Sequence, residues 1–182
     1  NTIATDNSAF GYFSLGNNTT GIRNTAVGRS ALGSNVVGSN NTAIGYQSLN
    51  SNTVSSLTAV GYRSLFSNTT GSNNSASGIY SLRNNTTGSY NSSFGFYALN
   101  SNTVGTGNVA MGYYAINANT IGINNTAIGA NALRSNTTGS NNTAVGLQAL
   151  YTNTTGIQNI AMGTNALYSN AGGSNNSCLL YT

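Results

Sequence analysis

The stretch Asn125-Thr126-Ala127-Ile128-Gly129-Ala130-Asn131-Ala132-Leu133-Arg134-Ser135-Asn136-Thr137-Thr138-Gly139-Ser140-Asn141 decides the fold, because it recurs along nearly the whole chain. Aligned on the glycine of Ala-aliphatic-Gly, the copies fall at Gly11, Gly28, Gly45, Gly61, Gly78, Gly95, Gly112, Gly129, Gly146 and Gly163. Every step is 17 residues except one of 16, between Gly45 and Gly61. An eleventh copy opens at Asn176-Ser177-Cys178-Leu179, with Leu180 in the glycine slot. Residues 1–182 therefore read as one repeat domain of about 10.7 units. A fixed short period marks a stacked array in which each unit touches only its neighbours.

Seventeen residues carrying two glycines cannot hold a helix pair, and Asn, Ser, Thr and Gly are poor helix formers. Two short strands joined by tight turns fit instead, the first over Thr-Ala-Ile-Gly and the second beginning near Asn-Thr-Thr. In the first, Ala and Gly point one way while Thr and the aliphatic residue point the other. The expected fold is all-β: a parallel β-solenoid or β-roll of about ten 17-residue coils, stacked at about 4.8 Å into a rod of roughly 50 Å. Two rows are apolar along nearly the whole chain. One is the residue before each glycine (Phe10, Val27, Ile44, Val60, Phe94, Met111, Ile128, Val145, Met162), which lapses at Ser77. The other stands four after it (Leu15, Leu32, Leu49, Leu65, Leu82, Leu99, Ile116, Leu133, Leu150, Leu167). Both are expected in a thin core, with the small Ala or Ser row beside them.

Asn, Ser, Thr and Gly make up more than half of the 182 residues, and charged residues only 3%. There is one acid, Asp6, no histidine, and five arginines scattered at Arg23, Arg29, Arg63, Arg83 and Arg134. No nucleophile–base pair and no metal-ligand set can be assembled, so neither an enzyme nor a cofactor is expected. Five spaced charges are too few for the cationic stripe that nucleic acid requires. No apolar run approaches the length of a membrane helix, and no charged-then-apolar leader stands at the start. Cys178 is alone and is expected to be a small buried residue.

Seven residues after each glycine stands Asn18, Asn35, Asn52, Asn68, Asn85, Asn102, Asn119, Asn136, Asn153 or Asn170, without exception. The slot four before each glycine is also Asn in every unit but the shortened one, where it is Leu57. Asn suits left-handed turns and stacks its amides between coils, so a structural Asn ladder is expected. Glycosylation is the rival reading, because Asn-x-Ser/Thr occurs 13 times. It does not explain the invariant slot, half of whose members lack the sequon. The slot five before glycine drifts through Asp6, Arg23, Ser56, Tyr90, Gly107 and Gln158, as a solvent-facing position does. Wherever it is Asn, at Asn40, Asn73, Asn124, Asn141 and Asn175, a sequon is complete, and these five are the candidate N-glycosylation sites.

Aromatic residues gather just after glycine, among them Tyr12, Tyr46, Tyr62, Tyr113 and Tyr114. A ring face of this kind either covers a thin core or a subunit interface, or contacts surface glycans. A threonine row eight after glycine (Thr19, Thr53, Thr69, Thr86, Thr103, Thr120, Thr137, Thr154) is ordinary cross-strand chemistry, with ice binding as a minor alternative.

Units such as Asn41-Thr42-Ala43-Ile44-Gly45 and Asn142-Thr143-Ala144-Val145-Gly146 resemble the head repeats of trimeric autotransporter adhesins. Similar repeats occur in phage and virus tail-fibre proteins. The resemblance spans Asn7 to Leu179 and implies a left-handed parallel β-roll, a homotrimer and attachment to a host surface. The present unit is longer than those heads usually show and carries fewer charges. Neither end shows a polar capping unit, and the apolar finish Cys178, Leu179, Leu180, Tyr181 suits a buried subunit junction. The leading expectation is thus a non-catalytic structural subunit of an extracellular fibre on a cell or virion surface, stacked head to tail on itself. An adhesin or tail-fibre head that binds surface glycans is the alternative.

Overall fold

A computed structural model describes residues 4–180. It is an all-β solenoid of eleven three-residue strands: β1 (Ser8–Phe10), β2 (Thr25–Val27), β3 (Thr42–Ile44), β4 (Thr58–Val60), β5 (Ser75–Ser77), β6 (Ser92–Phe94), β7 (Val109–Met111), β8 (Thr126–Ile128), β9 (Thr143–Val145), β10 (Ile160–Met162) and β11 (Ser177–Leu179). They form one parallel sheet in sequential order from β1 to β11. Equivalent slots pair, as in Thr126↔Thr143, Ala127↔Ala144 and Ile128↔Val145. Each coil therefore lies on the previous one without stagger, and a slot in the sequence becomes a row along the rod.

Each coil contributes one strand, where two were expected. The Asn-Thr-Thr run does bond from coil to coil, but not as a ladder. The N–H groups of Thr86, Thr87 and Gly88 converge on the single carbonyl of Thr103, at 2.9, 3.2 and 3.3 Å. Three donors on one acceptor make a tight corner, which leaves no alternating exchange for a second strand.

The core also differs from expectation in one row. The leucine row is buried as expected: Leu32, Leu49, Leu65, Leu82, Leu99, Ile116, Leu133 and Leu150 have no accessible surface. The residue before glycine instead faces outward, with Val27, Ile44, Phe94, Met111, Ile128 and Met162 all near 40% exposed. Its strand neighbours Ala26, Ala43, Ala59, Ala110, Ala127, Ala144 and Ala161 are the ones inside, joined by the small row three after glycine (Ala31, Ser48, Ser64, Ser81, Ala98, Ala115). Alternation allows only one of the two faces to enter the core. The coil is so narrow that its walls close on alanine and serine, leaving room for one large side chain per turn.

Glycine sets that width. A Cβ on Gly129, whose φ is 131°, would stand 2.5 Å from the carbonyl oxygen of Gly146 in the next coil. Other turns are made by L-residues in the left-handed region, two and four after glycine and five before it; Asn131, Leu133 and Asn141 have φ of 57°, 52° and 58°. A left-handed leucine costs about 1–2 kcal/mol. Full burial of its side chain, at about 1.5–3 kcal/mol, offsets that cost coil by coil.

Candidate functional site

Among the described residues the polar interior is almost entirely asparagine amide, arranged in two parallel columns. In the first, Asn136 Nδ2 donates to Asn119 Oδ1 of the previous coil at 2.8 Å and to Gly139 O at 2.9 Å. In the second, both the backbone N–H and Nδ2 of Asn125 donate to Asn108 Oδ1, at 3.0 and 3.1 Å, while Nδ2 also reaches Gly139 O at 2.8 Å. One glycine carbonyl per coil thus ties both columns together. The ladder predicted at Asn18, Asn35, Asn52, Asn68, Asn85, Asn102, Asn119, Asn136, Asn153 and Asn170 is present, and all but Asn170 are buried. Its members are absent from the left-handed positions, so amide stacking alone, without turn conformation, accounts for the slot. Buried amides satisfied in this way are costly to interrupt, which is why the slot does not drift.

The five candidate glycosylation residues, Asn40, Asn73, Asn124, Asn141 and Asn175, are all exposed. They share the left-handed slot five before glycine, with φ of 54–59°. By contrast the sequons of the ladder slot place their Asn in the interior. In the threonine row, hydroxyls donate to the carbonyl of the next coil, as in Thr86 Oγ1 to Thr103 O at 3.0 Å and Thr120 Oγ1 to Thr137 O at 3.1 Å. Their donors are spent within the stack. Of the candidate junction residues, Cys178 is a half-buried free thiol in the inward alanine row, Leu179 is 78% exposed and Leu180 is exposed. Tyr181 lies outside the described residues.

The aromatic residues are more ordered than their slots suggest. Tyr46 and Tyr62 stack with centroids 5.2 Å apart, Tyr62 meets Tyr80 edge-on at 5.3 Å, and Tyr80, Tyr97 and Tyr114 follow at 4.9 and 5.2 Å. Where a coil supplies no ring, an arginine fills the gap. Arg29 lies 5.7 Å from the Tyr12 centroid and 5.9 Å from that of Tyr46. Arg134 lies 5.0 Å from Tyr114 and 5.7 Å from Tyr151, which stacks on Tyr168 at 5.0 Å. The result is an unbroken file along one side, with one member from each of the coils of Gly11 to Gly163: Tyr12, Arg29, Tyr46, Tyr62, Tyr80, Tyr97, Tyr114, Arg134, Tyr151, Tyr168. Arg63 flanks it over Tyr46, Tyr62 and Phe66 at 5.9, 5.5 and 5.3 Å, and Arg83 over Tyr80 at 5.0 Å. Tyr113 stands beside it, 4.6 Å from Tyr114.

Grouping by slot missed this file because it shifts between three slots, one, two and five after glycine, and because two of its members are cations. The signal available in the sequence was that Arg29, Arg63, Arg83 and Arg134 occupy those same slots, while only Arg23 lies elsewhere. Comparison of the chain with protein-family models, with curated proteins and with solved structures gives no match. No helix is long and apolar enough to cross a membrane, and no group of potential metal ligands occurs, among the described residues.

Proposed function

We propose that this chain is a non-catalytic structural subunit of an extracellular fibre, built to extend by stacking one coil on the next. The observation that supports it is the uniformity of the axial bonding. The strand register repeats from coil to coil, and outside the shortened coil the two asparagine columns do so too, so a coil of a second copy can take the place of the next coil in register. The buried asparagine amides bond along the rod axis, and no concave pocket occurs among the described residues. The exposed left-handed Asn row would carry N-linked glycans along one edge, clear of the sheet face. Electron imaging of the native material tests this reading. Filaments with an unbroken repeat of about 4.8 Å across subunit boundaries are expected; short rods of fixed length ending in a distinct stalk would overturn it.

The second reading is an adhesin or tail-fibre head of the trimeric autotransporter type, and two observations favour it. The ring and guanidinium file gives the rod one chemically distinctive side. The outward aliphatic row of the sheet forms an apolar stripe of the kind that packs chain against chain in a homotrimer. Under this reading single Tyr→Ser changes at Tyr113 or Tyr114 abolish attachment to surface glycans. Under the fibre reading they leave assembly intact.

A further inference from the structure

We infer that the ring and guanidinium file is a docking track for an extended anionic polysaccharide, with its carboxylate or sulfate groups held by Arg29, Arg63, Arg83 and Arg134. This deepens the second reading above and rests on it.

Three features of the file lead there. The first is what it leaves open. Tyr97 and Tyr114 lie within 2° of parallel, Tyr151 and Tyr168 within 1°, and Tyr46 and Tyr62 within 9°, while Arg83 lies over Tyr80, so these rings each give a face to a neighbour. A ligand meets edges, phenol hydroxyls and guanidinium N–H groups, which makes the side rich in donors. A guanidinium laid over a ring keeps its N–H fork pointing outward and loses little freedom when a carboxylate binds it through two bonds.

The second feature is charge without compensation. The only acid, Asp6, belongs to the slot five before glycine, off the file. The cations have few acceptors of their own: Arg63 Nε donates to Gln47 Oε1 at 2.7 Å, Arg134 Nη1 to the Tyr151 hydroxyl at 2.9 Å, and Arg83 Nε is buried with no partner. None of the four is buried as a whole residue, so each is within reach of a ligand on the surface. An anion laid along the file would accept from the guanidinium N–H groups that remain exposed; the buried Arg83 Nε is out of its reach.

The third is spacing. Arg29 and Arg134 are six coils apart, or roughly 29 Å. A duplex strand of that length presents about eight phosphates at its spacing of about 3.4 Å, twice the charge the four arginines can neutralise, and a single strand binds through bases that require open ring faces. The four guanidinium groups stand two, one and three coils apart, or roughly 10, 5 and 14 Å, and a flexible polysaccharide whose anionic groups are set apart by neutral sugars can reach cations spaced in this way while its hydroxyls meet the phenols.

The test measures dissociation constants of the 182-residue chain for hyaluronate, neutral dextran and oligothymidylate, with circular dichroism as the check on folding. Hyaluronate is expected to bind at least tenfold more tightly than dextran. Changing Arg29 and Arg134 of the file and the flanking Arg63 and Arg83 all to Gln should weaken that binding at least tenfold, and all four to Lys by an intermediate factor, since charge survives without the planar fork. Arg23→Gln, off the file, should stay within twofold. Should the fourfold Gln variant not fold, Arg29→Gln and Arg134→Gln singly, with the fourfold Lys variant, carry the comparison.

Equal affinity for dextran and hyaluronate would overturn the inference and leave glycan binding standing. No affinity for either polysaccharide would remove both. Tighter binding of oligothymidylate would replace the polysaccharide with a nucleic acid. An equal loss in Arg23→Gln would reduce the effect to net charge and overturn the docking track.

Discussion

The coil from Asn125 to Asn141 and the shortened coil between Gly45 and Gly61 perform the same task with different parts. In the regular coil the carbonyl of Gly139 collects the amides of Asn125 and Asn136. In the shortened coil that glycine is missing, and Val54 O takes its place, accepting from Asn41 at 2.8 Å and from Asn52 at 2.7 Å. The carbonyl junction survives, but the column does not pass through it intact. Asn52 Nδ2 turns inward to Val54 and no longer reaches back, so Asn35 Oδ1 is buried without a partner. The column resumes one coil later, where Asn68 Nδ2 donates to Asn52 Oδ1 at 3.2 Å. The second column stops at the same point. Leu57 donates its backbone N–H to Asn41 Oδ1 at 3.0 Å but offers no side-chain acceptor to Asn74. One deleted residue thus breaks both amide columns in one coil while leaving the backbone stack continuous.

This contrast predicts unequal costs for equivalent substitutions. The largest is at the glycine corner. A Cβ on Gly139 would meet Gly156 O at 2.5 Å and Asn136 Oδ1 closer still, so Gly139→Ala should cost about 3 kcal/mol or more through forced backbone movement. Val54→Ala, in the equivalent role, should cost under about 1 kcal/mol for a half-buried side chain. Thermal unfolding of the two variants measures the gap, and equal losses would mean that the corner does not constrain the coil. Next is the ladder itself. Asn136→Ala removes the only donor to buried Asn119 Oδ1 and should cost about 2–3 kcal/mol. Asn52→Ala should cost about 1 kcal/mol less, because the acceptor behind it, Asn35 Oδ1, is already unpaired.

These residues also show what the sequence could and could not disclose. The invariant asparagine and the 17-residue step were enough for the coil, the parallel stack and the ladder, because each is a repeated geometric demand that no unit can escape. Which strand face enters the core was not legible from apolar periodicity. Ile128 is the more hydrophobic residue, yet Ala127 is the buried one, because the width of the coil, set by contacts such as that between Gly129 and Gly146, admits only the smaller side chain. The aromatic file was hidden for a different reason. Tyr62, Tyr80 and Tyr151 occupy three different slots and join one file only because long side chains reach across a corner, a property of side-chain length that slot counting discards.

Repairing the shortened coil should sharpen the contrast in the opposite direction. Inserting a glycine between Val54 and Ser55 together with Leu57→Asn restores the residues that both columns need. Asn35 Oδ1 regains a donor, and Asn74 regains an acceptor in the coil before it. A gain of about 1–2 kcal/mol is expected, the size of a buried polar group newly satisfied. Hydrogen exchange should show it as slower opening near Asn35 and Asn52, with no change near Asn136. No gain would mean that Leu57, only 1% exposed, already offsets the lost amide by its own burial.

The smallest effect expected is on the sheet, where the two regions should not differ. Register passes through the shortened coil without a slip, Ile44 opposite Val60 and Val60 opposite Ser77, just as Ile128 lies opposite Val145. The deletion is absorbed between Val54 and Ser55, at the far corner, before the chain reaches Thr58. Val60→Ser and Ile128→Ser both remove a partly exposed side chain from the outer face, and in the isolated chain both should fall within about 0.5 kcal/mol of each other. A clearly larger loss at Val60 would show that the strain of the broken amide columns reaches the strand. A large loss at both, appearing only in assembled material, would instead mark this row as the face along which neighbouring chains pack.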